Sequence, residues 1–326
     1  MNPAKTHTFV DFKHGSPLIS CRFDPSGRHV FYGAEDYRVW RYTLDDKTKT
    51  EINVDAWVRG ITFADNGETV VTGGYDGRLS WTPVAGKELK PVRAIKAHDG
   101  WVRAVATSPD GKIIASVGND LLVKLWNADS GELIRAMQGH ESHIYNVAFH
   151  PEGKRVVSAD LNCSIIDWEV SSGSKIREFK AESLSKYDKT FKAIIGGVRS
   201  MTFSPDGKRL ACSGITNVSN AFAGVGNPSV TEFDWAQGKQ TIEHLSKGKL
   251  RGVGWGVAIH HDGTVVACVG GSGGHLLFWK PTEAEEFHHM KLPRTARDLA
   301  MAPDNLTLAT AHSDGFLRLH RMEAKA

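Results

Sequence analysis

The stretch "AHDGWVRAVATSPDGKIIASVGNDLLVKLWN", residues 97–127, decides how the rest of the chain is read. Two alternating apolar runs, "WVRAVAT" and "KIIASV", flank the turn "SPDG" and read as a hairpin. A third run ends on Trp126, six residues after Asp120. That separation recurs as Asp36 with Tyr42 and as Asp314 with His320. The turn recurs too: "DPSG" at 24, "ADNG" at 64, "SPDG" at 108, "HPEG" at 150, "SPDG" at 204, "HHDG" at 260 and "APDN" at 302. Seven turns divide the chain into seven units, most of them about 40 to 45 residues apart, a period that belongs to four-stranded repeats. Third strands are expected to end at Tyr42, Trp81, Trp126, Trp168, Trp235, Trp279 and His320, with helical periodicity nearly absent.

Composition bounds the function. The 326 residues carry 40 Lys and Arg against 37 Asp and Glu, an excess of 3, so no bulk charge marks a general nucleic-acid binder. The N-terminus lacks the apolar core of a signal peptide, and no apolar run approaches the roughly 18 residues of a membrane span. Cys21, Cys163, Cys212 and Cys268 are widely spaced, with no CxxC pair or zinc-like cluster. A cytoplasmic, monomeric protein occupying residues 1–326 as a single domain is the expectation.

Residues 97–127 strongly resemble a WD40 repeat, and "GHESHIYNVAFHPEGKRVVSADLNCSIIDWEV" is close behind. The resemblance extends over essentially the whole chain, and its wording looks like that of bacterial members. It implies an all-β, seven-bladed propeller of four-stranded antiparallel blades, with the N-terminal "THTFVDF" closing the last blade. It also implies a buried relay in each blade, from a histidine through a serine or threonine and an aspartate to the tryptophan. In unit three these are His98, Ser116, Asp120 and Trp126; in unit four His140, Ser158, Asn162 at the aspartate position, and Trp168. Units two, five, six and seven have Val54, Ile194, Leu250 and Leu292 in place of the histidine, and Cys212 and Cys268 fall at the small relay position.

The same resemblance implies a partner-binding top face, made by the loop entering each first strand and the loop between second and third strands. Positions counted from the repeat histidine bring Trp57, Arg59, Trp101, Arg103, His143, Tyr145, Arg199, Trp255 and Arg297 to one channel mouth. Arginine forks suit carboxylate or phosphate, and aromatics supply contact area. The alternative is that each arginine is paired inside the fold, with Asp55, Asp99 and Asp298 close in sequence. Unit five adds two long loops, 181–197 and 214–229, expected to rise from this face and to offer Phe222 with Asn217, Asn220 and Asn227.

No GxSxG elbow, HExxH or phosphate-loop pattern is present, and the adjacent pairs His260-His261 and His288-His289 are not placed for one metal. No cofactor is expected. The reading is a non-catalytic scaffold that binds a protein or an acidic or phosphorylated peptide. The alternatives are a propeller enzyme or small-ligand binder at the channel mouth, or single-stranded nucleic-acid binding by the same arginines and aromatics.

Overall fold

The structure, a computed structural model, describes residues 1–220, 225–248, 250–271 and 273–325. Seven four-stranded antiparallel sheets follow one another as the blades of a propeller. Their innermost strands, in order of blades 1 to 7, are Leu18–Phe23, Val58–Ala64, Val102–Thr107, Ile144–Phe149, Ser200–Phe203, Gly252–Ile259 and Ala296–Met301. Strand His7–Lys13 pairs antiparallel with Phe316–Arg321 and completes blade 7. Apolar residues of blade 1 (Leu18, Cys21, Tyr32, Tyr42) pack with Ala309, Ala311, Leu317 and Leu319 of blade 7, which closes the ring.

The relay runs in a different order from the one expected. In blade 3, Asp120 bonds His98 Nδ1 (2.7 Å), His98 Nε2 bonds Ser116 Oγ (2.7 Å), and Trp126 Nε1 donates to the same oxygen (2.8 Å). The carboxylate therefore ends the chain on the histidine side, away from the tryptophan. Blade 4 repeats this with His140, Ser158 and Trp168, but its carboxylate is the buried Asp160 (3.0 Å) instead of Asn162. Asp160 lies two residues along the strand from Ser158 and turns back onto the histidine. Blade 1 has Tyr32, His14, Asp36 and Trp40 in a related series.

Two third-strand aromatics and one cysteine sit elsewhere than expected, each for a reason of register. A one-residue shift moves a side chain to the other face of a sheet. In blade 2, Thr82 holds the place of Trp126, because Trp81 pairs with Val71; Trp81 faces blade 3 and donates to the Ala128 carbonyl (2.7 Å). In blade 5, Phe233 is the inward aromatic, and Trp235 lies past the strand against His150. Blade 6 closes its first hairpin one residue tighter, Ile259 opposite Val265 where blade 3 has Thr107 opposite Ile114. Ala267 thereby faces blade 5, while Cys268 turns toward blade 7. Cys212, by contrast, faces blade 4 at the relay position.

Blade 7 builds its polar chain on the expected His320, joined by Thr8, Thr310 and His312. Thr8 Oγ1 meets His320 Nδ1 (3.0 Å), His320 Nε2 meets Thr310 Oγ1 (2.8 Å), Thr310 meets His312 Nε2 (2.8 Å), and His312 Nδ1 reaches the Arg294 carbonyl (3.1 Å). Every link is satisfied if both imidazoles are neutral: His312 donates to Arg294, Thr310 to His312, His320 to Thr310, and Thr8 to His320. Burial pushes the His312 pKa down to about 4 and that of His320 to about 3, with the Arg318 charge adding to both. The closing strand is thus tied by groups that must stay uncharged.

Three outcomes follow from this packing. Deleting residues 1–12 removes the closing strand together with Val10 and Phe12, which pack on the blade 1 and blade 7 core. The expected loss is on the order of 5 kcal/mol by urea unfolding, against little for removing the last three residues. Between pH 6.5 and about 4 the unfolded chain binds protons that native His312 and His320 refuse, so stability falls as pH falls. The loss should be on the order of 5 kcal/mol, and His320→Phe should flatten the slope of urea midpoint against pH. Ser116→Ala leaves buried His98 and Trp126 nitrogens unpaired and should cost about 2 to 4 kcal/mol, more than a surface Ser130→Ala.

Candidate partner-binding site

A β-bulge in the innermost strands builds the channel mouth. In six blades the pairing of first and second strands skips one residue: Ile19, Arg59, Arg103, Tyr145, Trp255 and Arg297 in blades 1, 2, 3, 4, 6 and 7. A bulged residue is left out of the ladder and its side chain is re-aimed. In blade 5 the corresponding Arg199 immediately precedes the strand, its amide bonded to the Ser213 carbonyl (2.7 Å). Five of the seven positions carry an arginine or tryptophan.

Three of the four arginines counted from the sequence gather with the aromatics. Arg103 lies over Trp101 (4.5 Å) and Tyr145 (4.7 Å); Arg199 lies over Tyr145 (5.0 Å) and Trp255 (5.6 Å); Arg59 lies 6.0 Å from Trp255. Tyr75 stacks flat on Trp101 (4.3 Å, 4°), and Trp57 and Tyr37 extend the series around blades 1 and 2 at 6.3 Å intervals. The outer part of this arc is open to solvent: Trp57 is 36%, Trp101 41% and Tyr37 56% exposed.

Arg297 stands apart, paired with Glu35 (2.6 Å). None of the nearby aspartates neutralises the other three. Asp55 pairs with Arg78, and Asp298 pairs with Arg22 at 2.8 Å. Among the described residues no carboxylate lies within 4 Å of Arg59, Arg103 or Arg199. Burial and the neighbouring Arg59 charge hold the Arg199 pKa below the ordinary guanidinium value, with Tyr145 opposing them. Arg103 Nε donates to Asn119 (2.8 Å). His143 is exposed.

Arg22, Tyr75 and Tyr37 were not anticipated. Arg22 lies three residues past its bulge, where the other blades have Thr62, Ala106, Ala148, Thr202, Ala258 and Ala300. An alignment of that position would have exposed it. The two tyrosines come from loops between second and third strands, of which only the general location could be anticipated.

The unit-five segments are hairpins rather than irregular loops. Ser185–Asp188 pairs with Ala193–Gly196, and the 214–229 segment prolongs the second and third strands, Arg209–Asn220 and Val225–Asp234. Lys186 Nζ bonds the Val218 carbonyl and ties the two hairpins together (2.6 Å). Asn227 is used within the fold, donating to the Leu250 carbonyl (2.8 Å), and Asn217 is exposed with φ of 51°. Phe222 lies outside the described residues.

Comparison with known proteins agrees with this architecture. The WD domain, G-beta repeat family matches residues 48–81, 89–127, 131–166 and 186–216. The chain is 29% identical over 96 residues to small ribosomal subunit protein RACK1y of Oryza sativa subsp. japonica, covering 29% of this chain and 28% of that protein. It is 33% identical over 85 residues to target of rapamycin complex subunit LST8-1 of Arabidopsis thaliana, covering 24% and 28%. With Protein HIR1 of Mycosarcoma maydis it shares 25% identity over 134 residues, 35% of this chain and 13% of that protein. The match therefore spans under a third of each relative's length, and these relatives are eukaryotic, so they lend nothing to a bacterial origin. Four matched repeats within seven four-stranded blades establish that the chain belongs to the WD40-repeat family.

Proposed function

We propose that the protein is a non-catalytic, monomeric scaffold whose top face docks a protein partner through an acidic segment. The observation that supports this most is the continuous arc Tyr37, Trp57, Tyr75, Trp101, Arg103, Tyr145, Arg199, Trp255 and Arg59, exposed on its aromatic side and without carboxylates on its basic side. Tryptophan, tyrosine and arginine are the residues that carry most binding energy at protein interfaces. Two relatives are named as subunits of assemblies, a ribosomal subunit and a target of rapamycin complex, and family resemblance supports the same kind of role here. No helix among the described residues is long and apolar enough to cross a membrane, and a cytoplasmic setting is part of the proposal.

A photo-crosslinking residue at Trp101, compared with one at the exposed bottom-turn residue Glu152, tests this in cell extract. Crosslinks to a discrete protein from position 101 alone are expected, and Trp57→Ala should weaken binding of that protein roughly 30-fold, a loss of about 2 kcal/mol. Equal crosslinking from both faces would overturn the reading. Single-stranded nucleic acid held by three or four arginines would lose roughly 20- to 50-fold in affinity between 50 and 200 mM salt. A contact that rests mainly on aromatic area should change far less.

A further inference from the structure

Beside the aromatic arc lies a small cavity whose lining includes Arg22, Arg59, Arg103, Arg199, Ser200 and Asp298. Its charge is uncompensated. Asp298 is fully engaged, one oxygen accepting from Arg22 (2.8 Å) and the Cys21 amide (3.0 Å), the other from the Leu299 amide (3.0 Å). Four guanidiniums less one carboxylate leave three positive charges facing one space.

The rest of the molecule shows how this chain treats a structural arginine. Arg155 and Arg177 share Asp167, Arg209 pairs with Glu232, and Arg318 pairs with Asp11 and Asp314. Even at the mouth, Arg297 has Glu35. Arg41, Arg93 and Arg135 have no carboxylate but hold backbone carbonyls instead; among the described residues Arg59, Arg103 and Arg199 have neither, and they lie together at one place. Arg59 makes no hydrogen bond or ion pair among the described residues, only its approach to Trp255. A fold needs no such cluster, whereas an oxyanion does, because guanidinium forks match carboxylate and phosphate oxygens in pairs.

Size limits the ligand. The cavity is small, about 60 Å³. That volume suits a single compact group. We infer that the channel mouth binds one carboxylate or phosphoryl group between Arg59, Arg103 and Arg199, with Arg22 beside them, while whatever carries that group rests on the aromatic arc. The inference rests on the top-face reading for its carrier, since the group belongs either to a partner's side chain or to free phosphate.

Melting-temperature shifts at constant ionic strength test it, with chloride as the balancing anion. The probes are inorganic phosphate, N-acetylphosphoserine amide and N-acetylglutamate amide. At least one is expected to raise the wild-type midpoint saturably, with affinity reduced tenfold or more in Arg59→Gln and in Arg199→Gln, and less in Arg59→Lys. Should Arg199→Gln fail to fold, Arg59→Gln decides alone, since among the described residues the Arg59 side chain makes no hydrogen bond. A capped side chain that binds at least tenfold tighter than inorganic phosphate assigns the site to a partner residue; phosphate binding as tightly assigns it to the free anion. No saturable shift with any probe, or shifts unchanged in Arg59→Gln, would overturn the inference. If crosslinks from position 101 persist in that case, the docking face stands without an anion site.

Discussion

Closure of the ring is the constraint on which everything else depends. Each blade buries both faces against its neighbours, so a blade taken alone would expose two apolar surfaces and a sheet edge. Blade 7 is completed only when His7–Lys13 pairs with Phe316–Arg321, two segments at opposite ends of the chain. The closure entropy of so long a loop opposes that pairing. What offsets it is the shared core of blades 1 and 7 and the hydrogen-bonded series from Thr8 to the Arg294 carbonyl.

Buried polar chains recur through the ring, with different chemistry in different blades. Blades 3 and 4 run carboxylate, histidine, serine and tryptophan; blade 7 runs through two histidines and two threonines. In blade 3 the His98 and Lys124 contacts overcome burial and hold the Asp120 carboxyl at a pKa of about 2. In blade 5 Glu232 is held by Arg209 and His244. The common requirement is that each buried donor or acceptor find a partner, and each blade meets it with the residues at hand.

The same scaffold makes the candidate site at little structural cost. In six blades a bulge leaves one inner-strand residue outside the ladder, and in blade 5 Arg199 just precedes the strand; these residues converge because the strands do. Arg59, Arg103 and Arg199 therefore face one space without having to pair there. Their aromatic neighbours partly replace water around the guanidinium faces while leaving N–H groups for a ligand.

By itself the sequence determined the blade count and the approximate strand positions, because turn spacing and pleat alternation are local and repeat. Tertiary structure decided whatever hung on a single residue of register or on contact between distant segments. The tight hairpin of blade 6 exchanges Ala267 and Cys268 between faces, and the offset of Trp81 does the same in blade 2. The carboxylate on His140 comes from Asp160, a neighbour two residues from Ser158 that turn counting passes over. Glu35 was matched to Arg297 and Asp298 to Arg22 only once blade 7 met blade 1. Which arginines remain without a carboxylate is a property of the closed ring, since charge pairing depends on distances that sequence spacing does not specify.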